Sequence, residues 1–212
     1  MSERAPVVFV VEDERVVREA LDSLLRSAGH RVKLFLSARE LLTELTSEDA
    51  GCLVLDVRLP GMSGLEFQQE LIRARISIPI IFITGHGDIR MSVEAIKAGA
   101  VEFLTKPIND VDLLNAVEHS LEKDRVEREE RAELANIQRR FSMLTPRERE
   151  VMQFVVSGLL NKQIAAEVGI SEITVKIHRA HVMRKMEVHS LAELAQLAQR
   201  MTLAPDGLTH PS

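Results

Sequence analysis

Five side chains able to handle a charged oxygen compound fall where short apolar runs end. Glu12 and Asp13 follow the run at residues 7–11, and Asp56 follows residues 52–55. Thr84 follows residues 80–83, and Lys106, with Pro107 behind it, closes residues 101–104. Gathered at one edge, the three carboxylates would repel one another unless a divalent cation lay between them. Oxygen donors of this kind suit Mg2+, which keeps part of its water shell, with Mn2+ as a substitute. A hydroxyl and an ammonium beside such a cluster complete the equipment for a phosphoryl group. Metal and Lys106 neutralise its oxygens, Thr84 hydrogen-bonds one, and a carboxylate accepts the group. Taken singly, each residue has an ordinary reading. An Asp at a strand end caps a helix or faces solvent, and a Lys-Pro pair means little. It is their coincidence at the ends of four strands that argues for a site.

The elements that must position these residues are legible as five β-α units. The runs at residues 7–11, 32–36, 52–55, 80–83 and 101–104 are short, β-branched and almost continuously apolar, as strands covered on both faces must be. Amphipathic stretches alternate with them at residues 15–28, 38–45, 65–74, 89–98 and 110–121. Ser37 with Glu40 makes a capping box, and Asn109 is placed to cap the last of these helices. Parallel strands need crossover helices, so the fold class is α/β: a doubly wound, five-stranded parallel sheet. Right-handed crossovers set the first and third strands side by side at the switch point, and ligands bind beyond the carboxyl ends of such strands.

Residues 122–142 carry alternating charge without Gly or Pro, and Asp124/Arg128, Arg125/Glu129 and Glu127/Arg131 sit four apart on one helix face. This reads as a helical linker that continues the preceding helix, either as a solvated single helix or as an intermolecular coiled coil. Residues 143–202 form a second, all-α domain of four helices at 147–157, 162–168, 172–186 and 190–201. Thr145, Pro146 and Glu148 mark its start as N-cap, N1 and N3. Gly169 permits a tight turn and Ser171 caps the next helix, so residues 161–186 read as helix-turn-helix. The second helix of the pair is expected to pack Ile177, Val182 and Met186 inward, while Val175 fits either side. It shows a basic, hydrogen-bonding face, as a helix entering the DNA major groove would. An ordinary helical hairpin with solvated Lys and Arg is the plain alternative. Residues 203–212 read as a disordered tail.

Charge is divided between the two parts. The chain of 212 residues has a net charge of −5, yet residues 143–200 hold eight Lys and Arg against six Asp and Glu, leaving −7 for the remainder. The single cysteine, Cys52, excludes an internal disulfide and a cysteine-based zinc site, and within an apolar run it reads as an inert buried thiol of a reducing cytoplasm. The apolar stretch at the N-terminus ends at Glu12 and Asp13, too short for a signal peptide or a membrane span.

The segments VVEDE, LVLDVRLPGMSG, IFITGHGD and FLTKP resemble the signatures of CheY-like receiver domains over residues 7–121, and ITGHGDIRMSVEAIKAGAVEFLTKP is especially similar to the FixJ branch. From LTPREREV to HSLAEL the second domain resembles the LuxR-type output domain of NarL/FixJ response regulators. The resemblance implies a receiver at residues 1–121 with Asp56 as phosphoacceptor. It implies Asp13 as a direct Mg2+ ligand, Glu12 acting through water, and the backbone carbonyl of Arg58 completing the metal site. Glu12 stands where many members have Asp, and its longer arm still reaches. Thr84 and Lys106 would contact the phosphoryl group, with a cis peptide between Lys106 and Pro107. Thr84 drawn inward would vacate space for Phe103, reshaping the surface of the fourth helix, fifth strand and fifth helix for dimerisation. On spacing alone Phe103 is a core residue. Arg58 and His86 would tune loss of the phosphoryl group. In the output domain the resemblance carries Thr174, Val175, Lys176, His178 and Arg179 to the recognition face and Lys162 to a supporting phosphate contact. The partners implied are a sensor histidine kinase, promoter DNA, a second copy of the chain and RNA polymerase, in the cytoplasm and without membrane. The output would be regulation of transcription, more often activation. No enzymatic activity is expected beyond self-phosphotransfer and autodephosphorylation at Asp56.

Two other classes stand against this reading. A haloacid dehalogenase-type enzyme needs a second Asp two residues after the nucleophile, and here Arg58 occupies that place. A pure adaptor would use the helical domain to bind protein rather than nucleic acid.

Overall fold

Strands form where β-branched and aliphatic residues run without interruption, and each run predicted from sequence is a strand. A computed structural model describes residues 5–85, 93 and 95–203. It divides into two units, Met1–Arg128 and Glu129–Ser212. The first contains β1 (Val7–Val11), α1 (Arg15–Ser27), β2 (Arg31–Phe35), α2 (Ala38–Glu44), β3 (Gly51–Asp56), α3 (Gly64–Arg73), β4 (Ile80–Thr84) and β5 (Glu102–Thr105). The helix α4 (Asp110–Ser142) follows. Residue 93 and residues 95–97 are helical, and the remainder of the helix expected at 89–98, like His86, lies outside the described residues. The strands pair in parallel in the order β2-β1-β3-β4-β5, so β1 and β3 are neighbours, as right-handed crossovers require.

Both faces of the sheet are covered, which explains the near-continuous apolar strands. On one face Phe9, Val11, Leu53, Leu55 and Phe82 pack with Leu41 of α2 and with Phe67 and Leu71 of α3. On the other, Val8, Val10, Val54, Ile81 and Ile83 pack with Leu21 and Leu25 of α1 and Leu113 and Val117 of α4. Cys52 belongs to the second face. Burial, then the charge of Asp124, pushes its thiol up to about 12, so it is protonated and inert at neutral pH.

The stretch at residues 122–142 is helical as expected, but its charges are not simply solvated. Asp124 is buried and accepts a 2.9 Å hydrogen bond from the amide of Gly51. Arg128 donates to the carbonyls of Asp49 and Glu48, each at 3.1 Å. The first unit therefore extends to Arg128, past the expected end at residue 121. In the second unit Ile137 is buried in the core and Phe141 packs against it.

The second unit adds α5 (Pro146–Val156), α6 (Asn161–Val168), α7 (Glu172–Met186) and α8 (Leu191–Leu203). Thr145 and Glu148 form the expected capping box. Gly169 ends α6 in the left-handed region at φ 69°, and Ser171 accepts the Thr174 amide at the start of α7. Val151, Val155, Ile164, Val175, Val182, Met186 and Leu194 form an aliphatic core. The rest of the expected tail, residues 204–212, lies outside the described residues.

Gly51 is required by close approach. At Gly51, φ is +145° and a Cβ would lie 1.8 Å from the Val7 carbonyl oxygen, on the neighbouring strand. Backbone cannot yield there without breaking the β1–β3 pairing. Gly51→Ala is expected to destabilise the first unit by roughly 3 kcal/mol or more. Urea denaturation checks this; a midpoint within experimental error of the parent would show that the strand ends yield.

Candidate functional site

The parallel sheet brings the carboxyl ends of β1, β3 and β4 to one edge, and the residues singled out in the sequence lie there. Glu12 and Asp13 follow β1, while Asp56 and Thr84 end β3 and β4. Glu12 and Thr84 are fully buried, Asp56 is 4 % exposed, and Asp13 faces solvent. Carboxylate oxygens of Glu12, Asp13 and Asp56 lie within 4.8 Å of one another. Lys106 directly follows β5 and is joined to Pro107 by a cis peptide, and its amide donates to the Thr84 carbonyl at 2.7 Å.

Its ammonium is what makes the cluster tolerable. Lys106 Nζ donates to Asp56 Oδ2 at 2.5 Å and to Glu12 Oε2 at 2.8 Å. The second oxygens are held by backbone: Asp56 Oδ1 accepts the Arg58 amide at 2.7 Å, and Glu12 Oε1 accepts the Glu14 amide at 3.1 Å. Burial pushes the Glu12 carboxyl above its usual range, and the charge of Asp56 adds to that push, against the pull of Lys106. Burial alone would lower the Lys106 ammonium. Hydrogen bonds and charge from Asp56 and Glu12 outweigh it and hold the group above its usual value.

The donor set is all oxygen and strongly negative, with Asp13 on the solvent side. It fits a hard dication and not a soft one. Phe103 is half-buried, with its ring centroid 6.4 Å from that of Phe82. Arg58 is exposed.

The second set of expected contacts lies on α7, apart from Lys162 on α6, and only partly on the outer face. Lys162 and Lys176 are exposed, and Lys176 Nζ is 3.6 Å from Glu172. Thr174 is half-buried, with its hydroxyl 2.8 Å from that of Ser171. Arg179 donates to Asn161 Oδ1 at 2.8 Å. Three expectations are corrected. Val175 was placed on the recognition face, but it is fully buried in the core and cannot present its side chain outward. Ile177 was expected to pack inward, but it is 50 % exposed. The cause is helical phase. Val175, Val182 and Met186 define the inward stripe, and Ile177 stands about 200° away from Val175, as does Ile173 on the other side. Ile173 is 71 % exposed, and sequence reasoning missed it. His178 is half-buried beside the core stripe rather than on the outer face.

Comparison with known proteins agrees with this geometry in both units. Residues 8–118 match the family described as response regulator receiver domain, and residues 142–198 match the bacterial regulatory proteins of the luxR family. The chain is 53% identical to nodulation protein W of Bradyrhizobium diazoefficiens, over 93% of its own length and 87% of the relative's. It is 40% identical to the transcriptional regulatory protein FixJ of the same organism, over 94% of the chain and 97% of the relative. The chain belongs to the NarL/FixJ family of two-component response regulators.

Among solved structures, the response regulator StyR aligns with this regulator at a TM-score of 0.86 and 49% identity, covering 93% of this chain and all of that one. Full-length FixJ from B. japonicum aligns at 0.56 and 41%, covering 92% and 96%. The regulator therefore joins a receiver to a LuxR-type DNA-binding domain, an organisation for regulating transcription. No described helix is long and apolar enough to cross a membrane.

The ion pairs in the acidic pocket give a direct expectation. Replacing Lys106 by Met leaves two buried carboxylates facing each other. Lys106→Met is expected to cost the receiver unit about 2–4 kcal/mol at neutral pH without divalent cations, read from urea denaturation. An unchanged midpoint would mean that the ammonium does not hold the cluster together.

Proposed function

We propose that Asp56 accepts a phosphoryl group from a phosphohistidine of a sensor kinase, and that the modified receiver drives dimerisation and sequence-specific binding of promoter DNA. One observation carries this reading: Lys106 joins the buried Asp56 and Glu12 at the sheet edge, with Asp13 in reach of both. In the transfer, an Asp56 carboxylate oxygen forms a bond to phosphorus while the phosphorus–nitrogen bond of the donor histidine breaks and the imidazole leaves. Glu12, Asp13, Asp56 and the Arg58 backbone carbonyl are the groups that would hold Mg2+, or Mn2+ in its place. When bound, the ion neutralises charge on the phosphoryl oxygens. Lys106, already at Asp56, shifts its ammonium to a phosphoryl oxygen, and the Thr84 hydroxyl hydrogen-bonds another. Arg58 flanks the pocket and limits attack by water, so the protein catalyses only its own phosphorylation and dephosphorylation.

The report outward runs through Thr84 and Phe103. A phosphoryl group adds strong acceptor oxygens, and Thr84 moving to them opens space for the half-buried Phe103 beside Phe82. The surface of β5 and the start of α4 changes, and two copies associate through it. The paired output domains then place two α7 helices in successive major grooves. Lys176 reads a base edge, the exposed Ile173 and Ile177 meet thymine methyl groups, and Lys162 meets a phosphate. Thr174 and Arg179 support that face. The regulator works in the cytoplasm and activates transcription with RNA polymerase.

Asp56→Asn is expected to abolish labelling by acetyl phosphate in the presence of Mg2+, and undiminished labelling would move the acceptor elsewhere. Lys176→Ala should weaken operator binding by roughly 1–3 kcal/mol in fluorescence anisotropy, and an unchanged affinity would remove it from the interface. Random duplex should bind at low salt and dissociate steeply as salt is added. Absence of any binding would favour the adaptor reading.

A further inference from the structure

Beside the core stripe of α7 runs a second line of side chains, His178, His181 and Lys185, spaced three and four apart on one helix face. All three lie beside Glu148, the third residue of α5. Glu148 is 3 % exposed, and its Oε2 is fully engaged: Lys185 Nζ donates at 2.6 Å and the Thr145 amide at 2.8 Å. Its Oε1 faces His181 Nδ1 at 3.4 Å, beyond a normal hydrogen bond. His178 Nδ1 is buried without a hydrogen-bond partner. Each of Glu148, His178 and His181 offers one ligand atom within 4.8 Å of the other two.

We propose that Glu148, His178 and His181 form a binding site for a divalent transition metal of the Zn2+ type. Two imidazoles and one carboxylate are a donor set that zinc accepts, with a fourth position left for water. In tetrahedral zinc coordination, neighbouring donor atoms lie about 3.3 Å apart, given bonds of about 2.0–2.1 Å. The Glu148–His181 edge already has that length, and His178 offers a ligand atom within 4.8 Å of both partners. A metal there also supplies the electron-pair acceptor that the buried His178 nitrogen lacks. Lys185 and the Thr145 amide, bound to the other carboxylate oxygen, fix the orientation of Glu148 as outer partners of a ligand do. The carboxylate is ionised at neutral pH: burial alone would raise it, but Lys185 and Thr145 pull it down to about 2. Harder dications are poorly served by imidazole, so this site and the all-oxygen receiver pocket select different metals. Occupancy would tie the start of α5 to α7, the helix assigned above to DNA, and stiffen the output domain.

Co2+, as a spectroscopic substitute, tests the site in the full-length protein with excess Mg2+ present to fill the receiver pocket. The expected result is saturable visible absorption of tetrahedral strength at one equivalent per chain. The half-exposed His181 tolerates substitution, so His181→Gln should fold and lose affinity by about tenfold or more, and Asp56→Asn should titrate like the parent. Zn2+ should raise the melting temperature of the parent and not that of His181→Gln. Weak octahedral absorption alone, or equal titration of the parent and His181→Gln, would overturn the proposal.

Discussion

The receiver unit depends on one ammonium held between two buried carboxylates. Lys106 bridges Asp56 and Glu12, which a parallel sheet forces together because both lie at the carboxyl ends of adjacent strands. Such a pair, buried and unpaired, would destabilise the edge by several kcal/mol. With Lys106 in place the pocket remains negative enough, through Asp13, to draw in a cation, and it already contains a positive group suited to an anion. The contact stabilises the resting edge, and on the function proposed above the same ammonium would neutralise charge during phosphoryl transfer.

The output unit repeats this arrangement with different consequences. Glu148 is buried at the start of α5 and neutralised by Lys185 from α7, so the pair fixes where one helix begins against the flank of another. That contact and the apolar stripe of Val175, Val182 and Met186 hold α7 in one rotation. With His178, His181 and Lys185 turned to Glu148, and Val175, Val182 and Met186 turned to the core, Ile173, Lys176 and Ile177 are left to face outward. Ile173, Lys176 and Ile177 are the residues assigned to DNA in the function proposed above.

Strand and helix placement was legible because the apolar runs and caps are local signals. Strand ends came within a residue or so, and Thr145, Glu148, Gly169 and Ser171 act as the caps their types suggest. The gathering of Glu12, Asp13, Asp56 and Lys106 was legible too, since the crossover rule fixes which strand ends adjoin. What escaped was tertiary. Asp124 and Arg128 read as a solvated i,i+4 pair, yet they reach the backbone at residues 48–51, a contact that nothing in the local pattern announces. Residue type left the side of Val175 open and favoured Ile177 inward, since both are apolar and β-branched, and the resemblance carried Val175 outward. Only the packing of α7 against its neighbours selects between them. His178 went the same way: its type suited a groove-reading face, while its phase put it beside Glu148.

Of the two carboxylates joined to Lys106, Asp56 is the one proposed to be phosphorylated. Borohydride reduction of the phosphorylated protein converts an aspartyl phosphate to homoserine, and peptide mass spectrometry then locates it. Homoserine is expected at position 56 alone, with Asp13 and Glu12 unmodified. Homoserine at position 13, or reduction at a residue outside the pocket, would contradict that assignment.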